Sequence, residues 1–200
     1  MSGLKRTFRW PDLVPFVSMG KWRTEGAVDL VIEAPPEKLY ALVSDVASTV
    51  DRGGECLSCE WLPDGPQEAV VGARFRGRNR SGFVRWSRVC EVLDAAPAVR
   101  FAFRTLPERI DLSRRDSTTW IYEIEPVDGG TKVTHRYEIT MLPRQPFRAL
   151  YGRLMPHHRD MRPQMLETLE RLKSSVLADL PESVKISVPH DKSGTGAPSP

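Results

Sequence analysis

Short segments of alternating apolar and polar residues fill the middle of the chain and limit its fold more than any other feature. Short turn signals such as Ser81-Gly82 and Asp128-Gly129-Gly130 separate them. Alternation with a period of two is typical of strands with one buried face, and short connections favour antiparallel neighbours. Seven strands are predicted, over residues 27–33, 55–62, 72–80, 83–93, 99–105, 118–125 and 131–140. A parallel sheet is not favoured because it would need a helix between each pair of strands.

Two segments have the periodicity of a helix instead. A short one follows Pro35-Pro36, and a long one begins near Gln145. The long segment carries an apolar stripe at steps of three or four, formed by Leu150, Leu154, His158, Met161, Met165, Leu169, Leu172 and Val176. Pro156 and Pro163 predict a bend or interruption near its start. A curved sheet packed across this helix would bury the apolar side of both.

Four segments carry a resemblance to a known family. They are IEAPPEKLYALVSD (32–45), VGARFRGRNR (71–80), CEVLDAAPAVRFAFR (90–104) and TTWIYEIEPVDGGTKVTHRYEI (118–139). The sequence resembles the bacterial polyketide cyclase/dehydrase branch of the START-related SRPBCC superfamily. The resemblance implies an α+β helix-grip fold, in which a curved antiparallel sheet of about seven strands wraps around a long C-terminal helix, with two short helices after the first strand. It also implies a deep apolar cavity, but that superfamily shares no fixed catalytic motif.

The net charge of +3 lies at one end of the chain. Residues 1–26 account for it and form a basic, aromatic N-terminal extension, while residues 27–178 are expected to form the ligand-cavity domain and 179–200 a disordered tail. A neutral domain does not favour nucleic-acid binding. No apolar run reaches the roughly 18 to 20 residues of a transmembrane helix, and no signal peptide is expected. Three cysteines, an odd number, favour a reducing compartment and therefore the cytoplasm.

Strand alternation predicts which polar side chains face the cavity. His135 and Tyr137 share a face of the last strand, and Tyr122 lies on the matching face of the strand before it. An imidazole can take a proton next to a carbonyl, and a phenol or guanidinium can stabilise the resulting enolate oxygen. These three residues are therefore the catalytic candidates. The ligand-binding candidates are Trp86, Arg88, Trp120, His158, Met161, Met165 and Leu169.

Three functions remain open at this stage. The first is a cofactor-free, polyketide-type cyclase/dehydratase of small-molecule biosynthesis that acts on a hydrophobic, carbonyl-bearing substrate, with an acyl carrier protein as a candidate partner. The second is a non-catalytic carrier or sensor of a lipid or another hydrophobic ligand. The third is an interaction module that uses the N-terminal extension or a row of arginines. The oligomeric state is not determined by the sequence.

The cysteines and the adjacent histidines raise the question of a metal site. Cys56 and Cys59 have the spacing of a metal-binding pair, but positions three apart on a strand face opposite sides, so their thiols are expected to diverge. His157 and His158 are expected to diverge by about 100° if they lie in an α-helix. Buried, inert thiols and no metal are therefore predicted.

The arginine row lies on one predicted strand, where Arg74, Arg76, Arg78 and Arg80 alternate with other residues. Such a row could meet an acidic partner surface. It could equally be a solvated face balanced by acidic residues of neighbouring strands. The second interpretation is favoured, with the balancing residues Glu60, Glu91, Glu123 and Glu125.

Overall fold

The computed structural model describes residues 22–48, 55–110 and 112–178. Seven strands in these ranges form one antiparallel sheet in the order β1-β7-β6-β5-β4-β3-β2. The strands are β1 (Glu25–Ile32), β2 (Cys56–Trp61), β3 (Arg74–Ser81), β4 (Val84–Ala96), β5 (Arg100–Thr105), β6 (Ser117–Val127) and β7 (Gly130–Met141). All seven predicted strands are present. The largest difference is at the end of β4, which continues to Ala96 rather than stopping at residue 93.

Helices follow the first and last strands. Helix α1 (Pro36–Ser44) comes after β1, and helices α2 (Phe147–Leu154) and α3 (Arg162–Ala178) come after β7. Between α2 and α3 the backbone forms a 3₁₀ turn over Pro156–Arg159, which confirms the predicted interruption. Pro163 lies in the first turn of α3, where a missing backbone N–H costs no intrahelical hydrogen bond.

Helix α3 packs against β1 and β7 through one apolar face. That face consists of Met165, Leu169, Leu172 and Val176, whose spacing of four, three and four residues places them on the same side of the helix. Opposite it, the sheet contributes buried residues such as Val92, Phe101 and Val133. The curved sheet gripping a C-terminal helix confirms the predicted α+β helix-grip architecture.

Some expectations fall outside the described residues. They concern most of the N-terminal extension, the C-terminal tail, and the part of the segment after α1 where a second short helix is expected. Strand β1 begins at Glu25, inside the predicted N-terminal extension. Among the helices that the structure describes, none combines the length and the apolar character needed to cross a membrane.

Candidate functional site

Two adjoining cavities lie between the sheet and the C-terminal helical segment. The sheet cavity, of about 290 Å³, is lined mainly by β2 to β6 together with α3. The α2 cavity, of about 280 Å³, is lined in part by Trp22, Tyr151 of α2 and the start of β4. They share the wall residues Trp86, Arg88, Asp116, Thr118, His158 and Met161. The shared wall makes the two cavities neighbours in one binding region.

Apolar and aromatic side chains form much of the sheet-cavity wall. They include Phe75, Phe101, Phe103, Trp120 and Met161. Phe75 and Phe103 pack edge to face, with ring centroids 5.2 Å apart, and so hold part of this wall in a fixed shape. A concave apolar surface with a few polar groups is the usual character of a small-molecule site.

Arg88 is a buried charged group in this wall. Its Nη1 donates to Asp116 Oδ1 at 2.7 Å, and its Nη2 donates to the carbonyl oxygens of Asp116 at 2.6 Å and Leu106 at 3.2 Å. Its Nε, which is buried, has no hydrogen-bond partner among the described residues. The guanidinium is therefore held in one orientation with its Nε–H still unsatisfied.

The structure does not bring the three predicted catalytic residues together in one cavity. Tyr122 lines the sheet cavity, whereas His135 and Tyr137 are buried outside the lining of both cavities. The position of α3 accounts for this separation, because the helix packs on β1 and β7 whereas the sheet cavity is lined mainly by β2 to β6. His135 on β7 pairs directly with Tyr122 on β6, and the two rings stack with their centroids 4.1 Å apart. Tyr137 pairs in the same way with Trp120, which lines the sheet cavity while Tyr137 does not.

The environment of His135 also makes it a poor base. Burial lowers the pKa of His135 from 6.5 to about 3, and a weaker polar contact with the backbone of Met165 opposes this change only in part. Neither ring nitrogen makes a hydrogen bond of acceptable geometry to a described side chain. The imidazole is therefore neutral at pH 7 and has little tendency to take a proton.

Tyr137 is a core residue. Its side chain is fully buried and packs with Met161 and Met165. Its hydroxyl donates to the carbonyl oxygen of Arg23 at 3.4 Å. Burial, followed by the negative charge of Asp160, raises its pKa. The phenol thus connects β7 to the segment before β1.

The predicted ligand-binding residues divide in a similar way. Trp86, Arg88, Trp120, His158 and Met161 line the sheet cavity. Met165 and Leu169 are buried on the α3 face that packs against the sheet, outside the lining of either cavity. Their helical spacing correctly indicated burial, but it could not distinguish a core contact from a cavity wall.

Glu55 joins the two adjacent histidines in an arrangement that the sequence did not indicate. His157 Nε2 lies 2.6 Å from Glu55 Oε1, and His158 Nε2 lies 2.8 Å from Glu55 Oε2. The histidines lie in a 3₁₀ turn, and although their rings stand at 82° to each other, both Nε2 atoms reach the same carboxylate, each at a different oxygen. Burial raises the pKa of Glu55, but hydrogen bonds and charge from His158 and His157 outweigh it, so the pKa lies below its ordinary value.

The thiols of Cys56 and Cys59 also converge, contrary to the prediction. Their sulfur atoms lie 3.2 Å apart. The cause is a β-bulge: Cys56 pairs with Asn79 and Ser58 pairs with Arg78, so Leu57 has no partner and the alternation shifts by one residue. Cys90 fits the expectation of an inert thiol, since burial raises its pKa to about 12.

Acidic neighbours balance part of the arginine row. Glu91 binds both Arg74, at 2.9 Å, and Arg104, at 2.7 Å. Glu60 binds Arg78 at 2.8 Å. The other two expected acids pair elsewhere, Glu123 with Arg136 and Glu125 with Lys132 on β7. Two of the four acids therefore act as predicted.

Comparison with solved structures identifies the same fold. The protein TTHA0849 from Thermus thermophilus is 21% identical with a TM-score of 0.58, over 77% of this chain and 97% of that chain. The protein MLL2253 from Mesorhizobium loti is 16% identical with a TM-score of 0.55, over 78% and 99%. The di-domain ARO/CYC protein BexL from the BE-7585A biosynthetic pathway is 21% identical with a TM-score of 0.55, over 79% of this chain and 48% of that chain. At these identities the likeness establishes the fold alone.

The sequence comparisons give the family. No curated protein matched the chain. The family described as "Polyketide cyclase / dehydrase and lipid transport" matches residues 9–176, which include the whole sheet and nearly all of α3. With its seven-stranded sheet, gripped helix and apolar cavity, this chain belongs to the polyketide cyclase/dehydrase and lipid transport family.

Proposed function

We propose that this protein binds a hydrophobic, carbonyl-bearing small molecule in the sheet cavity and acts on it as a polyketide-type cyclase/dehydratase. The observation that carries the proposal is a buried guanidinium, Arg88, in a wall with several aromatic side chains that include the phenol of Tyr122. The protein would supply the proton-transfer groups itself, without an organic cofactor. We place this activity in the cytoplasm, where an acyl carrier protein could deliver the chain.

Arg88 would act on the oxygen that becomes negative. When a proton leaves the carbon next to a carbonyl, the electron pair moves onto the carbonyl oxygen as an enolate. A fixed donor in a site without water stabilises such a charge strongly. Arg88 lines the sheet cavity and Asp116 holds its guanidinium in place, so its positive charge would lie near the enolate oxygen of a bound substrate.

Tyr122 would handle the proton. The enolate carbon attacks a second carbonyl of the same chain, forming a carbon–carbon bond and an alkoxide. The alkoxide takes a proton, and loss of one water then gives the ring its double bond. The phenol of Tyr122 lies in the wall that such a chain would touch. Its oxygen would take the proton from the carbon next to the carbonyl while its own O–H proton passes to the developing alkoxide, so the phenol is regenerated. The apolar wall would contribute by folding the chain and excluding water.

A carrier of hydrophobic ligands is the second candidate, and one observation favours it. The charged groups in the cavity wall already bind each other, as Arg88 does Asp116 and Glu55 does the two histidines. His135, the strongest base candidate in the sequence, lies outside the cavity lining. A wall of this kind can hold a ligand without changing it.

Native mass spectrometry of the full chain, followed by incubation with a linear poly-β-keto thioester, tests the proposal. We expect a bound complex and a product lighter by one water. The Tyr122→Phe variant should lower turnover by about 100-fold or more with little change in affinity, since proton transfer typically contributes that much. Tyr40→Phe, a partly buried tyrosine outside the cavity lining, is the matched control and should leave turnover unchanged.

Two results would overturn the enzyme proposal. A stoichiometric ligand that stays chemically unchanged would identify a carrier. Failure of the protein to bind any hydrophobic carbonyl compound would reject the cavity as a binding site. A third result, equal turnover in the Tyr122→Phe variant and the native chain, would remove only Tyr122 from the mechanism.

A further inference from the structure

We propose that Glu55, His157 and His158 form a binding site for a divalent transition-metal ion, with Zn²⁺ as the preferred ion. In the described ranges these three side chains offer ligand atoms that all lie within 4.8 Å of one another. The inference does not depend on the proposed reaction, because it concerns the affinity for a metal ion and not turnover.

The donor set matches the chemistry of zinc. Two imidazoles and one carboxylate are the protein ligands of several catalytic zinc sites, at about 2.0–2.2 Å from the ion. Imidazole nitrogen suits zinc and its transition-metal neighbours, whereas magnesium and calcium prefer oxygen ligands. One carboxylate and two neutral imidazoles leave a net charge of −1, which attracts a dication.

The present spacing needs only a small adjustment. The nitrogen–oxygen distances are 2.6 Å for His157 and 2.8 Å for His158. Tetrahedral coordination at zinc would place these atoms about 3.3 Å apart. A withdrawal of the Glu55 carboxylate by less than about 1 Å would admit the ion. Glu55 lies just before β2, which begins at Cys56.

Contacts other than those with Glu55 hold the two histidines in place. The backbone N–H of His158 donates to Met155 O at 3.0 Å, and that of Asp160 donates to His157 O at 3.1 Å, so both belong to a closed turn. The Trp86 ring meets the His158 ring edge to face, with centroids 5.8 Å apart. Such support keeps both Nε2 atoms directed at the same carboxylate.

The position is accessible and leaves room for a further ligand. The three side chains retain between 22% and 30% of their surface exposed, which provides an entry path for the ion. Three protein ligands leave a fourth tetrahedral position open. Because Glu55 and His158 also line the sheet cavity, a water molecule or an oxygen of a cavity ligand could occupy that position.

Titration of the tag-free, full-length chain with Zn²⁺ by calorimetry tests the inference. We expect binding of one ion per chain, and a rise in the melting temperature with Zn²⁺ but not with Mg²⁺. The variants Glu55→Gln, His157→Ala and His158→Ala should each weaken binding at least tenfold, because even loss of a group that only supports a ligand costs about 10- to 100-fold. Glu60→Gln is the matched control: its carboxylate lies on β2, the strand that follows Glu55, but binds Arg78, so zinc affinity should not change.

Cobalt(II) binding identifies the donor atoms independently of the variants. A site of nitrogen and oxygen ligands gives visible cobalt bands without the near-ultraviolet charge-transfer band of a thiolate. Absence of zinc binding by the native chain would overturn the inference. So would a thiolate band that disappears in the Cys56→Ser variant, or undiminished affinity in all three ligand variants that remain folded by circular dichroism without metal.

Discussion

Ion pairs of this protein differ sharply in how much water they exclude. The side chains of Arg88 and Asp116 are only 9% and 23% exposed, whereas those of Arg78 and Glu60 are 55% and 51% exposed. A buried charge that loses its partner has no water to replace it. An exposed pair is screened by solvent, and its loss usually changes stability by less than about 1 kcal/mol.

Substitution at Asp116 should therefore cost far more than substitution at Glu60. We expect Asp116→Ala to lower the free energy of unfolding by about 3 kcal/mol, the lower end for a broken buried pair, because Arg88 keeps two carbonyl contacts. Glu60→Ala should change it by less than about 1 kcal/mol. Urea unfolding of both variants measures the difference, and similar losses would show that the Arg88 pair is not energetically buried.

The end of β1 and the start of β7 approach each other closely at Gly130. Gly130 begins β7 with a φ of +147°, and a Cβ placed on it would collide with the carbonyl oxygen of Ile32 at the end of β1. The next residue, Thr131, donates its hydroxyl to Ala34 O at 2.7 Å. The junction between β1 and β7 thus has no space for a side chain at residue 130.

Gly130→Ala should consequently destabilise the protein. We expect a loss of at least about 2 kcal/mol, because the substitution combines an unfavourable φ with a backbone collision. Gly65→Ala is the control, since a Cβ there would meet no atom within 4 Å. Thermal unfolding of both variants checks the prediction, which an unchanged melting temperature of Gly130→Ala would contradict.

Secondary structure was largely predictable because its signals are local. Alternation indicated each strand, and Pro156 indicated the break before α3. The bulge at Leu57 was not predictable, since it is an adjustment of pairing between β2 and β3 and leaves no pattern in β2 alone. That one extra residue brings Cys56 and Cys59 together, although their spacing on a regular strand would separate them.

The fold buries the imidazole of His135 in an environment that disfavours its charged form. His135 lies between β1, β6 and α3, and no charged side chain contributes to its pKa of about 3. The unfolded chain takes up a proton at this residue near pH 6.5, while the folded protein does not until near pH 3. Its contribution to stability is therefore complete above pH 6.5 and falls as the pH is lowered toward 3.

This linkage predicts a steep acid dependence of stability. Between about pH 6.5 and pH 4.5, His135 should remove about 1.4 kcal/mol of unfolding free energy per pH unit. The variant His135→Phe keeps a planar ring beside Tyr122 but cannot be protonated, so its stability should fall less over that range. Urea unfolding at several pH values compares the two proteins, and parallel pH profiles would contradict a buried neutral imidazole.

The candidate site was only partly predictable, and tertiary pairing explains the difference. Trp86, Arg88, Trp120 and Tyr122, which alternation put on inward faces, lie along the wall of the sheet cavity. It could not show that α3 would pack on β7 and keep His135 out of that cavity, because the position of a helix over a sheet is a contact between distant segments.

Side-chain periodicity by itself determined that this chain forms a curved antiparallel sheet around a C-terminal helix, because burying one face of each element leaves few other arrangements. It also determined which faces are apolar. The approach of Glu55 to His157, 102 residues away in the sequence, depended on tertiary structure. Only the packing of the 3₁₀ turn against the residue just before β2 joins these side chains, since contacts between distant segments leave no periodic signal in either one.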